Sequence, residues 1–148
     1  MIFYYSFKNK TECFAKALGE HLNQPVVKLE CEMNFFSAMK SCITRKSVQI
    51  KNMPDSVPEE IYICSPVWGG NLAAPAKYFL ENMNLNGTTV NILLTASVPV
   101  EKYKQNALNF LNKIPCQQGR AYIFATSGKI EPEKDVIIEQ LGEMLNNG

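Results

Sequence analysis

Residues 61–97, IYICSPVWGGNLAAPAKYFLENMNLNGTTVNILLTAS, decide the architecture of this chain. They open on Ile61-Tyr62-Ile63-Cys64, a run with almost no polar side chain, as expected of a strand covered on both faces. Pro66-Val67-Trp68-Gly69-Gly70-Asn71 then reads as a loop. From Ala73 to Met83 the apolar residues Ala76, Phe79, Leu80 and Met83 recur at helical spacing. Val90-Asn91-Ile92-Leu93-Leu94 is a second strand. A strand, a helix and a strand in this order form the repeating unit of a parallel sheet.

The same alternation extends in both directions. Toward the N-terminus, Ile2-Phe3-Tyr4-Tyr5 is a short aromatic strand, and Phe14, Leu18 and Leu22 mark a helix for which Thr11 is the expected N-cap. Pro25 ends that helix and Val26 to Leu29 is a brief strand. Phe35, Phe36, Met39, Cys42 and Ile43 form one face of a further helix, and residues 47–58 read as an irregular connection. Toward the C-terminus, Lys102 to Leu111 is a helix, Ala121 to Ala125 a strand, and Glu133 to Leu145 a helix with Val136, Ile137, Leu141 and Leu145 as its stripe. Five strands and five helices predict a single α/β domain over residues 1–148. The fold class is a three-layer sandwich on a five-stranded parallel sheet, with strand order 2-1-3-4-5 favoured.

Composition narrows the functional classes. Hydrophobic residues make up 46% and charged residues 20%, which is the balance of a globular protein. Lys+Arg 15 against Asp+Glu 14 gives a net charge of +1, so no global field argues for nucleic acid. The longest apolar runs are strand-sized, too short to span a membrane. MIFYYSF lacks the basic region and cleavage site of a signal peptide. Five scattered cysteines without a CxxC pair suit reduced thiols, so a cytoplasmic location is expected and no zinc site.

In a doubly wound sheet, ligands bind outside the carboxyl ends of the strands. Here those ends are Ser6 to Thr11, Ser65 to Asn71, Thr95 to Pro99 and Thr126 to Lys129. They lack the clustered carboxylates of a phosphorylated receiver domain, a GxGxxG fingerprint and a P-loop lysine motif. The single histidine, His21, sits beside the apolar stripe of the first helix and reads as a surface or boundary residue. What remains is a hydroxyl-bearing loop before the first helix and a Trp-Gly-Gly loop. Trp68 offers a flat face for stacking an aromatic ligand. Gly69 and Gly70 let backbone come close and let a peptide reorient.

Two stretches carry a resemblance. SPVWGGNLAAPAKYFLENMNLNGTTVNILLTAS resembles the third strand, flavin-ring loop, third helix and fourth strand of the flavodoxin-like proteins. YYSFKNKTECFAKALGEHL resembles their first strand, phosphate loop and first helix. MNFFSAMKSCITRK fits the second helix of their short-chain members. The resemblance implies FMN as cofactor, with Pro66, Val67, Trp68, Gly69, Gly70 and Asn71 at the ring. Thr95, Ala96 and Ser97 are implied at its pyrimidine edge.

The family's phosphate loop runs Ser-x-Thr-Gly-Asn-Thr. Here Ser6 and Thr11 match, whereas Lys8, Asn9 and Lys10 replace its threonine, glycine and asparagine. Asn9 is among the few residues that tolerate a left-handed backbone. Lys8 and Lys10 supply ammonium groups as point-charge partners for a phosphate. The lysines are therefore expected to replace by charge what the loop has lost in hydroxyl and amide groups.

The implied function is electron transfer or a small flavin-dependent reductase, with a redox partner protein or a small-molecule acceptor, in a monomer or homodimer. The alternative is a flavodoxin-fold binding or interaction module that has lost FMN. No acid–base pair is visible, so no catalytic residue is assigned. Strongly acidic flavodoxins carry a field that disfavours a fully reduced anionic flavin. This near-neutral chain is expected to show a less negative potential for the second electron. A potentiometric titration tests this, and a value as low as that of an acidic flavodoxin would contradict it.

Overall fold

The computed structural model describes residues 1–31, 48–126 and 134–147. The helix expected on Phe35, Phe36, Met39, Cys42 and Ile43 lies outside them, as do Ser127 to Lys129 and Glu133. The described elements are β1 (Ile2–Tyr4), α1 (Lys10–Leu22), β2 (Val26–Lys28), β3 (Glu60–Trp68), β4 (Asn71–Leu72), α2 (Ala74–Asn82), β5 (Thr89–Ala96), α3 (Glu101–Leu111), β6 (Gln117–Ala125) and α4 (Lys134–Asn146). Among them, no helix is long and apolar enough to cross a membrane.

The sheet order is β2-β1-β3-β5-β6, every pair parallel, with β4 paired antiparallel to the end of β3. With the two-residue β4 set aside, this is the expected order 2-1-3-4-5. The order places the first switch in direction between β1 and β3, and in sheets of this kind the carboxyl ends at that switch are where ligands bind.

Alternation along the strands distributes side chains to two helical layers. Phe3, Ile63, Ile92 and Leu94 face α2 and α3, where they pack with Phe79, Leu80, Ala107 and Leu111. Ile2, Tyr4, Cys64, Leu93 and Phe124 face the other way, onto Phe14, Ala15 and Leu18 of α1 and Ile137 and Leu141 of α4. Strand β5 is buried without interruption from Val90 to Thr95, which explains why its sequence lacks a polar alternation. Among the described residues, Cys13, Cys31, Cys64 and Cys116 are not disulfide-bonded, and burial pushes the Cys64 thiol up.

Three expectations need correction. Thr11 is not the N-cap: α1 begins at Lys10 and is capped by Asn9, which has φ 61° and makes no side-chain cap hydrogen bond. Thr11 lies inside the helix, one residue past its start, with its buried hydroxyl bonded to that of Thr95. The loop expected from Pro66 to Asn71 is a β-hairpin: Pro66, Val67 and Trp68 complete β3, and Asn71 returns in β4. Finally, β6 starts at Gln117 and not at Ala121. Its polar, exposed first half is an edge strand with one open side, which an apolar run does not reveal.

That half of β6 also contains an irregularity. Its register with β5 slips between Val90 and Ile92. Buried Asn91 sits at the slip, where its Oδ1 accepts the Arg120 N–H at 2.9 Å and its Nδ2 donates to Glu60 Oε1 at 2.9 Å. Gly119 lies against this amide. A Cβ there would stand 2.4 Å from Asn91 Oδ1 and 2.8 Å from the Val90 carbonyl oxygen. Because one of these neighbours is backbone, Gly119→Ala is expected to destabilise the fold by about 1–3 kcal/mol in denaturant unfolding. An unchanged midpoint would show that the slip can relax.

Candidate functional site

The candidate site is built from three segments. In the first, Tyr5 continues β1 by donating its N–H to the Cys64 carbonyl at 3.1 Å. Ser6 follows and is buried at 8% exposure, with its Oγ lacking any hydrogen-bond partner among the described residues. Phe7, Lys8 and Asn9 are exposed, Lys10 is half-buried and Thr11 is buried. Asn9 takes the left-handed conformation that asparagine tolerates, and the chain reverses there into α1. The first turn of a helix leaves N–H groups without intrahelical acceptors and carries the positive end of the helix dipole.

The acidic residue in that turn points its charge elsewhere. Glu12 accepts a hydrogen bond from Lys16 at 2.5 Å, which holds its carboxyl below the usual range. The Tyr4 hydroxyl also bonds to it, and burial together with this carboxylate pushes Tyr4 up to about 12. A carboxylate neutralised in this way competes less with an incoming anion for the helix end.

The second segment is the hairpin. Val67 pairs with Leu72 and Trp68 with Asn71, leaving Gly69 and Gly70 as the two turn residues. Their φ values are 58° and 78°, the sign that a two-residue turn of the I′ type requires at both positions. The two glycines differ in their surroundings. A Cβ on Gly69 would meet nothing within 4 Å. At Gly70 the ring of Tyr103 lies 3.6 Å from that position, and the Gly70 carbonyl accepts a 2.8 Å hydrogen bond from Asn106 Nδ2 on α3. The Gly70 carbonyl is therefore anchored to a helix, while the Cβ position of Gly69 is open. At the base of the hairpin Ser65 Oγ accepts the Ala73 N–H at 2.9 Å, serving the start of α2 in place of the side-chain cap that Ala73 lacks.

The third segment leaves β5. Thr95 is buried, Ala96 half-buried and Ser97 exposed. Two contacts bring the segments together. The rings of Tyr5 and Trp68 meet edge to face, with centroids 5.4 Å apart at 83°. The hydroxyls of Thr11 and Thr95 lie 2.8 Å apart in a buried hydrogen bond. Burial pushes the Tyr5 hydroxyl well above its ordinary range, with the neighbouring Cys31 thiol a smaller cause.

No family model matches this sequence. No curated protein matches it either. Solved structures do match along nearly its whole length. A candidate flavoprotein of Bacteroides eggerthii DSM 20697 superposes with a TM-score of 0.73 at 17% identity, covering 97% of this chain and 96% of that one. A flavoprotein of Lactobacillus acidophilus NCFM, solved in complex with FMN, gives 0.63 at 18% identity over 82% and 90%. Oxidised flavodoxin 2 of Bacillus cereus gives 0.56 at 15% identity over 99% and 98%.

The chain has the flavodoxin fold.

In that fold the residues named from sequence fall at one edge. Ser6, Lys8, Asn9, Lys10 and Thr11 line the β1–α1 turn. Pro66 to Asn71 form the hairpin, and Thr95, Ala96 and Ser97 end β5. Among the described residues, no three His, Cys, Asp or Glu side chains gather to hold a metal. Lone His21 is exposed in the last turn of α1. Sequence reasoning missed Tyr5, Tyr103 and Asn106. Tyr5 adjoins the loop and could have been included on position alone. Asn106 and Tyr103 lie on a helix more than thirty residues from the hairpin in sequence, with no local signal to link them to it.

The Asn106 anchor can be tested directly. Asn106→Ala removes one hydrogen bond, worth about 0.5–1.5 kcal/mol. Backbone amide exchange at residues 69–71 should quicken, while the amides of β1 keep their rates. Equal exchange in both proteins would show that the turn holds itself.

Proposed function

We propose that this chain binds FMN and works as an electron carrier or a small flavin-dependent reductase. The observation that carries this reading is the Ser6 hydroxyl. A buried polar group without a partner costs roughly 1–3 kcal/mol, and folded proteins retain few of them. This one lies between β1 and the N-terminus of α1, where backbone donors and the helix dipole already favour an anion. The residues present fit the phosphate of FMN. Ser6 and the first-turn N–H groups would donate to it, and Lys8 and Lys10 would add charge from the rim. Trp68, backed by Tyr5, would take the ring, and Gly69 leaves space for it. FMN supplies the electron-transfer chemistry, and the protein supplies binding, orientation and the local field. The donor and acceptor, whether protein or small molecule, would meet the ring at this edge.

A flavodoxin-fold module that has lost FMN is the second reading. The replaced loop positions Lys8, Asn9 and Lys10 favour it, but it leaves the buried Ser6 hydroxyl without a purpose.

Ser6→Ala separates the two, because the account gives it effects of opposite sign. The unliganded variant should be at least as stable as the native chain, since a partnerless hydroxyl has been removed. Its affinity for FMN, read from the flavin absorption spectrum, should fall about 10- to 100-fold, as for loss of one hydrogen bond to a charged group. The Lys8→Ala/Lys10→Ala protein should weaken FMN binding by roughly 3- to 10-fold, an effect that salt diminishes. Equal FMN affinity in the native protein and Ser6→Ala, or no binding by either, would overturn the proposal.

A further inference from the structure

The sequence groups Thr95 with Ala96 and Ser97 at the flavin ring, but the strand turns its side chain toward another part of the site. Along β5 the faces alternate: Ile92 and Leu94 point to α2 and α3, and Leu93 points to α1 and α4. Thr95 follows Leu93 in this alternation, and its hydroxyl meets that of Thr11 at 2.8 Å. The two residues are 4% and 2% exposed, so water does not substitute for either partner. Their separation in sequence, 84 residues, makes this a tertiary contact and not a local cap.

A hydroxyl carries one proton and two acceptor lone pairs. A pair of hydroxyls sharing one hydrogen bond therefore has two polarities. If Thr11 donates to Thr95, it presents only lone pairs toward the end of α1. If Thr95 donates to Thr11, the Thr11 proton is free to point outward, and its oxygen is polarised to donate more strongly. An anion at the helix end selects the second polarity, because lone pairs facing it are repelled. Only a hydroxyl at position 95 can supply the inner donor.

We propose that Thr95 is a positioning residue of the anion loop, holding Thr11 in the rotamer and polarity that donate to a phosphate. The inference rests on the FMN reading above and adds to it a division of labour. Thr95 acts on the phosphate through Thr11, and backbone groups of the β5 segment serve the ring. The side chain of Thr95 then contributes to discrimination between phosphorylated and unphosphorylated flavin. Ser6 acts independently of this pair, since its hydroxyl has no partner among the described residues.

The test compares FMN with riboflavin, which has the same ring and no phosphate. The ratio of their dissociation constants measures the phosphate contribution. For Thr95→Val, which keeps shape and removes the hydroxyl, that ratio should shrink about 3- to 10-fold, the range of one net hydrogen bond, while riboflavin affinity stays unchanged. Thr95→Ser retains an inner donor and should preserve the ratio, which guards against a folding defect as the cause. If Thr95→Val weakens both flavins equally, the side chain serves the ring and the inference is overturned. If it changes neither, the pair has no role in binding and the inference is likewise overturned. If the native protein binds riboflavin as tightly as FMN, the phosphate site falls and takes this inference with it.

Discussion

The reversal from β1 into α1 is the constraint on which the rest depends. It turns on Asn9, held at φ 61°, a region that costs most side chains energy and that asparagine tolerates. That single left-handed residue lets the helix begin at Lys10, immediately above the strand ends. Its consequence is electrostatic as well as geometric. The positive end of α1 is brought over the edge where β1 and β3 part, and Ser6 is drawn below the surface with its hydroxyl unmatched. Glycine is the usual solution at such a point, and asparagine meets the same backbone demand while retaining a side chain.

From this reversal the other segments take their places through a few directed contacts. The edge-to-face contact of Tyr5 with Trp68 couples the loop to the hairpin, and the Thr11–Thr95 bond couples the helix to β5. Asn106 fixes the hairpin to α3 from the opposite layer. The candidate site is thus tied to both helical layers through the sheet, with its hairpin anchored at Gly70 and the Cβ position of Gly69 open.

Much of the fold could be read from sequence because apolar periodicity reports burial directly. β3 and β5 are covered on both faces and read as mainly apolar runs; α1, α2 and α4 show clear stripes. What escaped notice follows from the same physics. The first half of β6 is an exposed edge, so its polar residues gave no strand signal. The hairpin reads as a loop because its return strand is only two residues long, although Gly69-Gly70 is a recognised two-residue turn. Thr11 looked like a cap because sequence shows residue type but not side-chain direction. At the candidate site, the motif positions point to three segments, and the fold sets these at the carboxyl ends of β1, β3 and β5. The contacts that join them, Tyr5–Trp68, Thr11–Thr95 and Asn106–Gly70, connect residues far apart in sequence and leave no local trace.

The central claim is that the β1–α1 turn holds the phosphate of a flavin through a hydroxyl that is otherwise unsatisfied. A crystal structure of the protein grown with FMN tests it most directly. The account predicts a phosphate oxygen within hydrogen-bond distance of Ser6 Oγ, at the N-terminus of α1, with the ring lying against Trp68. FMN bound elsewhere, or a phosphate at this edge that leaves Ser6 Oγ without a partner, would contradict it.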